Sequence, residues 1–168
     1  MNLNNIILIG MPGAGKSTIG VLLAKELCYH FLDVDLIIQQ QEGKLLCDII
    51  KENGLDRFIQ IEESANLSLS VYHCIIATGG SAVYSEKAMM HLKTLGTVIY
   101  LRLPCSTLKK RLGNMKRRGV VMRDGQTLDQ LYAERSSLYQ QYADVTVDTA
   151  GLTVEQALDQ IIEQLYIK

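Results

Sequence analysis

The chain has 168 residues, and its 17 lysine and arginine residues nearly balance 18 aspartate and glutamate residues, which gives a formal net charge of −1. Hydrophobic residues make up 48% of the sequence and charged residues 21%, a composition typical of one globular domain that excludes a disordered or collagen-like chain. The near-zero charge argues against a general nucleic-acid-binding protein, and no apolar run is long enough for a membrane-spanning helix.

The four cysteines lie far apart and form no CxxC pair. This spacing favours reduced thiols, most of them buried, over a zinc site or a disulfide framework. The first apolar run is short, follows no basic residue and leads into a glycine-rich loop, so we do not expect a signal peptide. We therefore expect a cytoplasmic protein, and we expect a monomer that binds neither nucleic acid nor membranes.

Short apolar runs of strand length alternate with longer segments of helical period. The apolar runs predict five strands, at 6–9, 30–34, 74–77, 98–103 and 145–147. The longer segments predict helices from 16, at 36–50 with an interruption at Gly43, at 52–70, 86–95, 106–112 and 127–142, and a last helix after the fifth strand. In the first helix, Ile19, Leu22, Leu23 and Leu27 would lie on one face. Thr153 and Gln156 form a capping box before that last helix, whose apolar face begins with Val154. Such alternation predicts an α/β domain with parallel strands joined by helical crossovers.

A glycine-rich loop follows the first predicted strand. Its sequence at 10–17, GMPGAGKS, matches the phosphate-loop pattern GxxxxGK[ST] at every fixed position, between a strand and an amphipathic helix. Glycines in such a loop let backbone amides turn inward, and the start of the helix offers unpaired N–H groups to an anion. Lys16 is expected to reach the β- and γ-phosphates, and Ser17 to place its hydroxyl on Mg²⁺. The loop predicts binding of a nucleoside triphosphate and leaves the phosphate acceptor open.

Three classes of phosphate-loop protein remain, namely a small-molecule kinase, a GTPase and a motor or DNA-acting ATPase. A GTPase would need an NKxD-type guanine motif, and the sequence contains none. A motor ATPase would need an acidic residue at the end of a central strand, whereas the third predicted strand ends with the sequence Ala-Thr-Gly at 77–79. A small-molecule kinase is therefore favoured.

Two aspartates close the second predicted strand, at positions 33 and 35. Alternate residues of a strand face the same side, so Asp33 and Asp35 would both face the ligand crevice that forms at strand ends in such sheets. One carboxylate could hold Mg²⁺ through water, and the other could accept the proton of an attacking hydroxyl. The alternative is a helix-capping Asp35 and a solvated Asp33.

Two further groups could contact the acceptor. The sequence TGGS at 78–81 follows the third predicted strand, where Gly79 and Gly80 could expose amides to a substrate oxygen and Ser81 could add a hydroxyl. A plain tight turn is the alternative for this segment. Arg135, within ERSSLY at 134–139, could bind an acidic substrate or be a surface arginine.

Basic residues are concentrated between positions 109 and 123. They are Lys109, Lys110, Arg111, Lys116, Arg117, Arg118 and Arg123. The segment 113–125 is bounded by glycines and predicts a mobile lid. An arginine that closes over the γ-phosphate would stabilise the charge that spreads there during transfer. Arg118 is the first candidate for this arginine and Arg117 the second, with a solvated charged face as the alternative.

Taken in order, these motifs resemble those of the shikimate kinases over nearly the whole chain. The matching segments are GMPGAGKST at 10–18, FLDVD at 31–35, ATGGS at 77–81, VIYL at 98–101, KRR at 116–118 and ERSSLY at 134–139. The resemblance implies a single P-loop kinase domain over 1–168, a three-layer sandwich with a five-stranded parallel sheet of order 2-3-1-4-5 flanked by helices. It also implies transfer of the γ-phosphate of ATP to a ring hydroxyl of shikimate, with Mg²⁺.

The resemblance further implies a role for each matching residue. The nucleotide would be bound by Gly13, Ala14, Gly15, Lys16, Ser17, Thr18, Arg111 and Arg118, and the metal by Ser17 and Asp33. The acceptor would be bound by Asp35, Gly79, Gly80, Ser81 and Arg135, with Lys16, Asp35 and Arg118 as the catalytic residues. The substrate-binding helices would span about 36–70 and the lid about 113–125.

The departures from the family pattern concern the acceptor half and the lid. The family reads Phe-Arg where this chain has Phe58 and Ile59, and that arginine binds the substrate carboxylate. Arg57 does not obviously replace it, because two positions along a helix turn by about 200°. A lost charge-assisted hydrogen bond of about 1.5–3 kcal/mol would weaken binding about 10- to 150-fold. Ser81 replaces a third glycine, and RGVV at 118–121 replaces Arg-Pro-Leu-Leu. A kinase for another small hydroxyl compound and an inactive nucleotide-binding module are therefore the alternatives.

Overall fold

The computed structural model describes residues 5–112 and 120–166. At its centre lies one parallel sheet of five strands in the order β2-β3-β1-β4-β5, which confirms the expected fold class. The strands are β1 (Asn5–Ile9), β2 (His30–Asp33), β3 (Cys74–Ala77), β4 (Thr97–Arg102) and β5 (Val145–Asp148). The helices are α1 (Lys16–Leu27), α2 (Val34–Glu42), α3 (Leu46–Leu67), α4 (Glu86–Leu95), α5 (Cys105–Leu112), α6 (Leu128–Tyr142) and α7 (Val154–Tyr166).

Helices cover both faces of the sheet and make it the middle of three layers. Side chains of β1 alternate between the faces, so that Ile7 and Ile9 pack with α2 to α6 while Ile6 and Leu8 pack with α1 and α7. Every residue of β1 is buried. A strand that is apolar on both sides is what a parallel sheet covered by helices on both faces requires.

The position of β1 determines where the ligand crevice forms. β1 pairs with β3 on one side and β4 on the other, with Leu8 opposite both Ala77 and Ile99. Because all the strands are parallel, their carboxyl ends meet at one edge of the sheet, and ligands bind at that edge in open α/β sheets. The loop after β1, the segment after β3 and the start of α2 therefore lie side by side.

The helical region between β2 and β3 differs from the predicted one. Its first break is at Gly43, where α2 ends with φ at 65°, and the second helix runs from Leu46 to Leu67 without the predicted break near position 51. Inside α3, Gly54 has φ 75° and ψ 172°, which kinks the helix in a conformation that favours glycine. A 3₁₀ turn at Ala82–Tyr84 was also not predicted.

Several local predictions have mixed outcomes. The capping box is confirmed, because Thr153 N donates to Gln156 Oε1 at 2.9 Å and Gln156 N donates to Thr153 Oγ1 at 3.2 Å. Leu22 and Val154, predicted on buried helix faces, are 38% and 36% exposed. All four cysteines are unpaired, but Cys74 is the one that is fully buried, so the prediction of mostly buried thiols is wrong. Among the helices of residues 5–112 and 120–166, none is long and apolar enough to cross a membrane.

We expect Asn5→Ala to lower the free energy of unfolding by about 2–4 kcal/mol. Asn5 is 1% exposed, and its Nδ2 donates to the carbonyl oxygens of Val71 (2.7 Å) and Leu95 (2.9 Å) while its Oδ1 accepts from Cys74 N (3.0 Å). Alanine would leave these backbone groups without their partner at the start of β1. Urea denaturation measures the loss.

The matched control is Asn53→Ala, since exposed Asn53 makes one hydrogen bond, from Nδ2 to Ile49 O at 2.9 Å. Its effect should stay within about 0.5 kcal/mol. Equal losses for the two variants would contradict the anchoring role of Asn5.

Candidate active site

A cavity of about 360 Å³ opens at the carboxyl end of the sheet. Of the residues singled out from the sequence, its wall contains Gly13, Gly15, Lys16, Ser17, Thr18, Asp35, Gly80, Ser81, Arg111 and Arg135. Ala14 and Gly79 lie next to these in the chain, and Asp33 lies two residues before Asp35 and accepts a hydrogen bond from Ser17. Arg117 and Arg118 lie outside the described residues, as does most of the predicted lid. Apart from these arginines, the fold brings the nucleotide and acceptor halves of the expected site to one cavity.

The phosphate loop adopts the conformation that its glycines allow. Gly13 and Gly15 have φ of 81° and 99°, in the left-handed region. Gly15 is the N-cap of α1 and has no side chain to cap it, so the N–H groups of the first helical turn face the cavity without intrahelical acceptors. An aligned helix dipole adds partial positive charge at the same point. The start of α1 is therefore built to bind an anion.

Lys16 lies at the centre of this loop and is 9% exposed. Its Nζ donates to the carbonyl oxygens of Gly10 at 2.8 Å and Met11 at 3.1 Å. Burial lowers the pKa of Lys16 to about 8, and the nearby carboxylates of Asp35 and Asp33 oppose that shift. At neutral pH the side chain is still an ammonium, held by the loop on the side where an anion would enter.

Ser17 and Asp33 form the candidate metal site. Ser17 Oγ donates to Asp33 Oδ2 at 2.6 Å, which links the start of α1 to the end of β2. Within the described parts of the chain no group of three or more His, Cys, Asp or Glu side chains could enclose a metal ion. Mg²⁺ is commonly held by only one or two protein oxygens together with phosphate oxygens and water. This hydroxyl–carboxylate pair is a donor set of that kind.

Asp33 and Asp35 do not share a strand face, and that prediction is wrong. β2 ends at Asp33, whose Oδ1 caps α2 by accepting from Asp35 N at 3.0 Å. Asp33 is thus the capping residue, and Asp35 lies in the first turn of α2. The helix start nonetheless turns Asp35 into the cavity, where burial raises its pKa to about 6 against the opposing attraction of Lys16. The carboxylate is ionised at neutral pH, so it can accept a proton from a group that binds in the cavity.

Neighbouring residues approach the two glycines after β3 so closely that a side chain at either position would collide with them. A Cβ on Gly80 would lie 2.8 Å from Pro12 Cδ and 3.0 Å from Arg135 Nη1. A Cβ on Gly79 would lie 2.7 Å from Asp35 Oδ1. The alternative of a plain tight turn does not explain this crowding, because Pro12, Arg135 and Asp35 all lie within 3.0 Å of where a Cβ would be.

Arg135 is fully buried, so the alternative of a surface arginine is wrong. Its Nε donates to Tyr84 OH at 3.2 Å, and its Nη2 donates to Val121 O at 2.7 Å. Its guanidinium also lies over the Tyr84 ring, 5.1 Å from the centroid. Nη1 has no hydrogen-bond partner among the described residues. A buried donor with no partner in the wall of a cavity is a position at which an anionic ligand would be bound.

Glu62 is the residue that sequence reasoning missed. It is 1% exposed, and one carboxylate oxygen accepts a hydrogen bond from Ser81 Oγ while Oε1 has no partner in the described structure. Burial raises the pKa of Glu62 to about 7, against the opposing hydrogen bond from Ser81. The available signal was its place one helical turn after buried Phe58, on the apolar face of α3. The predicted Ser81 hydroxyl therefore faces Glu62.

The two remaining sequence-predicted side chains lie at the margin of the site. Arg111 is exposed and donates from Nη1 to Gly13 O at 3.3 Å, which places it over the phosphate loop. Ile59 lines a second cavity of about 200 Å³ together with Tyr84 and Arg123. Arg57 is exposed and donates to Gln60 Oε1 at 3.0 Å, so it does not supply the cation that Ile59 lacks.

The chain is similar to known proteins over nearly its whole length. A family model for shikimate kinase matches residues 12–166. Shikimate kinase of Persephonella marina is 32% identical over 164 residues, which cover 97% of this chain and 99% of that protein. The structure of shikimate kinase from Acinetobacter baumannii in complex with shikimate superposes with a TM-score of 0.86 at 32% identity, covering 98% of this chain and 93% of that one. That of the Aquifex aeolicus enzyme gives a TM-score of 0.82 at 30% identity, covering 96% of each chain.

We expect Asp35→Asn to be more stable than the wild type above pH 7, by about 1–3 kcal/mol. The folded pKa of Asp35 is raised to about 6 from an ordinary value of 3.8, so its ionisation opposes folding and stability is lost as the pH rises through that interval. Near pH 4 the carboxyl is protonated in the folded protein, and the two proteins should be nearly equally stable. Urea denaturation at pH 4 and pH 8 measures both values.

The control is Asp56→Asn, because Asp56 is exposed and lines the smaller second cavity rather than the active-site cavity. It should change stability little at either pH. A gain for Asp35→Asn that is the same at pH 4 and pH 8 would show that ionisation of Asp35 is not its source.

Proposed function

Because this chain belongs to the shikimate kinase family, we propose that it transfers the γ-phosphate of ATP to a ring hydroxyl of shikimate. The observation that carries the proposal is the buried Nη1 of Arg135, which has no partner in the described structure and faces the cavity that Asp35 and the phosphate loop also line. An acceptor bound here would have its carboxylate at Arg135 and a hydroxyl at Asp35, beside the loop for the phosphate donor.

The nucleotide half of the site rests on the phosphate loop. The amides and glycines of the segment 13–18, including Ala14 and Thr18, would bind the β- and γ-phosphates together with Lys16. Arg111, which contacts Gly13, would lie near the adenine. Ser17 and Asp33 would hold Mg²⁺, which would supply positive charge to offset that of the phosphates.

Transfer needs one proton to leave the acceptor. Asp35, ionised at neutral pH, orients the attacking hydroxyl and takes its proton as the oxygen forms a bond to the γ-phosphorus. The bond from that phosphorus to the β-bridging oxygen breaks, and its electron pair leaves with ADP. Lys16 stabilises the charge on the transferred group, which is the larger part of catalysis in phosphoryl transfer.

The segment 113–125 is proposed to be the lid, with Arg118 in preference to Arg117 over the γ-phosphate. Its support comes from the described end of that segment, where Val121 is buried, lines the cavity and accepts a hydrogen bond from Arg135. We further propose one kinase domain over 1–168, with the region 36–70 binding the acceptor. We also propose a monomer, and a cytoplasmic location, which four unpaired thiols favour.

A second candidate function is phosphorylation of a different small hydroxyl compound. Ile59 favours it, because it stands where the family pattern has a carboxylate-binding arginine, and neither Ile59 nor Arg57 lines the larger cavity. An acceptor without a carboxylate would lose less binding free energy when isoleucine replaces that arginine.

We expect ATP-dependent turnover with shikimate at millimolar concentration, measured by coupled ADP release and by detection of the phosphorylated product. A panel of hydroxy acids and other small alcohols is run beside it. Turnover with one of these and none with shikimate would replace the acceptor and keep the kinase class, whereas nucleotide binding without transfer to any compound would support an inactive module.

We expect Arg135→Lys to raise the KM for shikimate about 10- to 100-fold with a much smaller change in kcat. Lysine keeps the charge, but it cannot donate to Tyr84, to Val121 and to a carboxylate in the fixed geometry of a guanidinium. The matched control is Arg102→Lys, since Arg102 forms a half-exposed ion pair with Asp148 at 2.8 Å, outside the cavity wall. An unchanged KM in Arg135→Lys would remove Arg135 from acceptor binding.

A further inference from the structure

The carboxyl group of Glu62 has no place in the chemistry described so far, although it lies in the wall of the active-site cavity. Ser81 Oγ donates to one of its oxygens, and Oε1 is buried without a partner in the described structure. A Cβ on Gly79 would overlap Glu62 Oε1 and would lie 2.7 Å from Asp35 Oδ1. The two carboxyl groups therefore face each other across Gly79.

Two carboxyl groups this close in a buried site repel each other strongly when both are ionised, so below about pH 7 one of them retains a proton. The charged and titratable groups that face Glu62 are Asp35 on α2, Lys16 on α1, and Arg135 and Tyr139 on α6. The Lys16 ammonium donates its hydrogen bonds to the loop carbonyls. Arg135 donates from Nε to Tyr84 and from Nη2 to Val121. Among the described residues, no cation donates a hydrogen bond to Glu62.

Glu62 is the member of this pair that keeps its proton. Lys16 attracts the negative charge of Asp35, whereas Glu62 is 1% exposed and accepts its described hydrogen bond from the neutral Ser81 hydroxyl. Burial also raises the pKa of Glu62, to about 7. The carboxylate needed to accept a proton and the carboxylic acid able to donate a hydrogen bond then lie side by side in one cavity.

We propose that Glu62 is an acceptor-binding residue that works as a neutral carboxylic acid, with one oxygen held by Ser81 and the proton on Oε1 donated to an oxygen atom of the acceptor. This inference rests on the proposed function, because it assigns a contact for the same acceptor. The proton on Glu62 also removes a buried negative charge that would otherwise repel an anionic acceptor beside Arg135.

A pH dependence follows from linkage between proton and acceptor binding. An acceptor that binds only the protonated form of Glu62 raises its pKa, so above pH 7 each acceptor molecule that binds takes up one proton. The affinity for the acceptor falls as the pH rises through the pKa of Glu62 in the acceptor-free protein, by about 10- to 30-fold between pH 6.5 and pH 8.5. Glutamine at this position keeps a donor and an acceptor at every pH, so Glu62→Gln should bind with an affinity that Glu62 ionisation no longer affects.

The experiment is titration calorimetry of shikimate into the full chain at pH 6.5, 7.5 and 8.5, in two buffers of different ionisation enthalpy. The wild type should take up close to one proton at pH 8.5 and lose affinity as stated. Glu62→Gln should take up far less and keep its affinity at pH 8.5 close to that of the wild type at pH 6.5. Asp35→Asn should still take up the proton, which separates the two carboxyl groups.

The matched control is Glu63→Gln. Glu63 accepts a hydrogen bond from Ser85 Oγ, a pair of the same chemistry that lies outside the cavity wall, and this variant should show wild-type proton uptake. Thermal unfolding of each variant verifies that it is folded. Proton uptake that persists in Glu62→Gln and disappears in Asp35→Asn would overturn the role of Glu62 alone. Absence of shikimate binding at every pH would overturn the proposed function and this role with it.

Discussion

The constraint on which the rest of this structure depends is the burial of β1 on both of its faces. Because Ile6 and Leu8 pack against one helical layer and Ile7 and Ile9 against the other, the strand is confined to the interior of the sheet, where it forms the central strand. The phosphate loop leaves from its carboxyl end, where a Cβ on Gly10 would lie 2.8 Å from Leu101 O, and so starts in direct contact with the neighbouring strand. The apolar core thereby fixes where an anion binds.

The cavity at that edge concentrates charges that would be costly to bury singly. Lys16 and Arg135 are balanced by Asp35 and Asp33, and the burial that perturbs their proton affinities also excludes water that would screen them. Perturbed titration is thus a consequence of the same closure that makes a phosphoryl-transfer site effective. Surface ion pairs such as Arg102 with Asp148 lie half exposed, where water screens the two charges.

The fold was predictable from the sequence because a buried parallel sheet requires apolar runs and a phosphate loop requires fixed glycines. Prediction failed at positions where tertiary contacts override the local sequence pattern. Asp33 ends β2 because its side chain caps α2, which short-range alternation does not reveal. Glu62 was missed because a glutamate on a polar helix is ordinarily solvated, and only the packing of α3 against the segment after β3 buries it. The lid arginines lie outside the described residues and remain predictions.

The hydrogen bonds of Lys16 to the Gly10 and Met11 carbonyls have a consequence for the catalytic cycle. A buried ammonium without partners would be costly, so a loop that relied wholly on phosphate oxygens would tend to open whenever the nucleotide departs. Here the main chain of the loop supplies substitute acceptors at 2.8 and 3.1 Å. The backbone of the loop therefore fixes the position of the ammonium independently of the phosphate oxygens that it would bind.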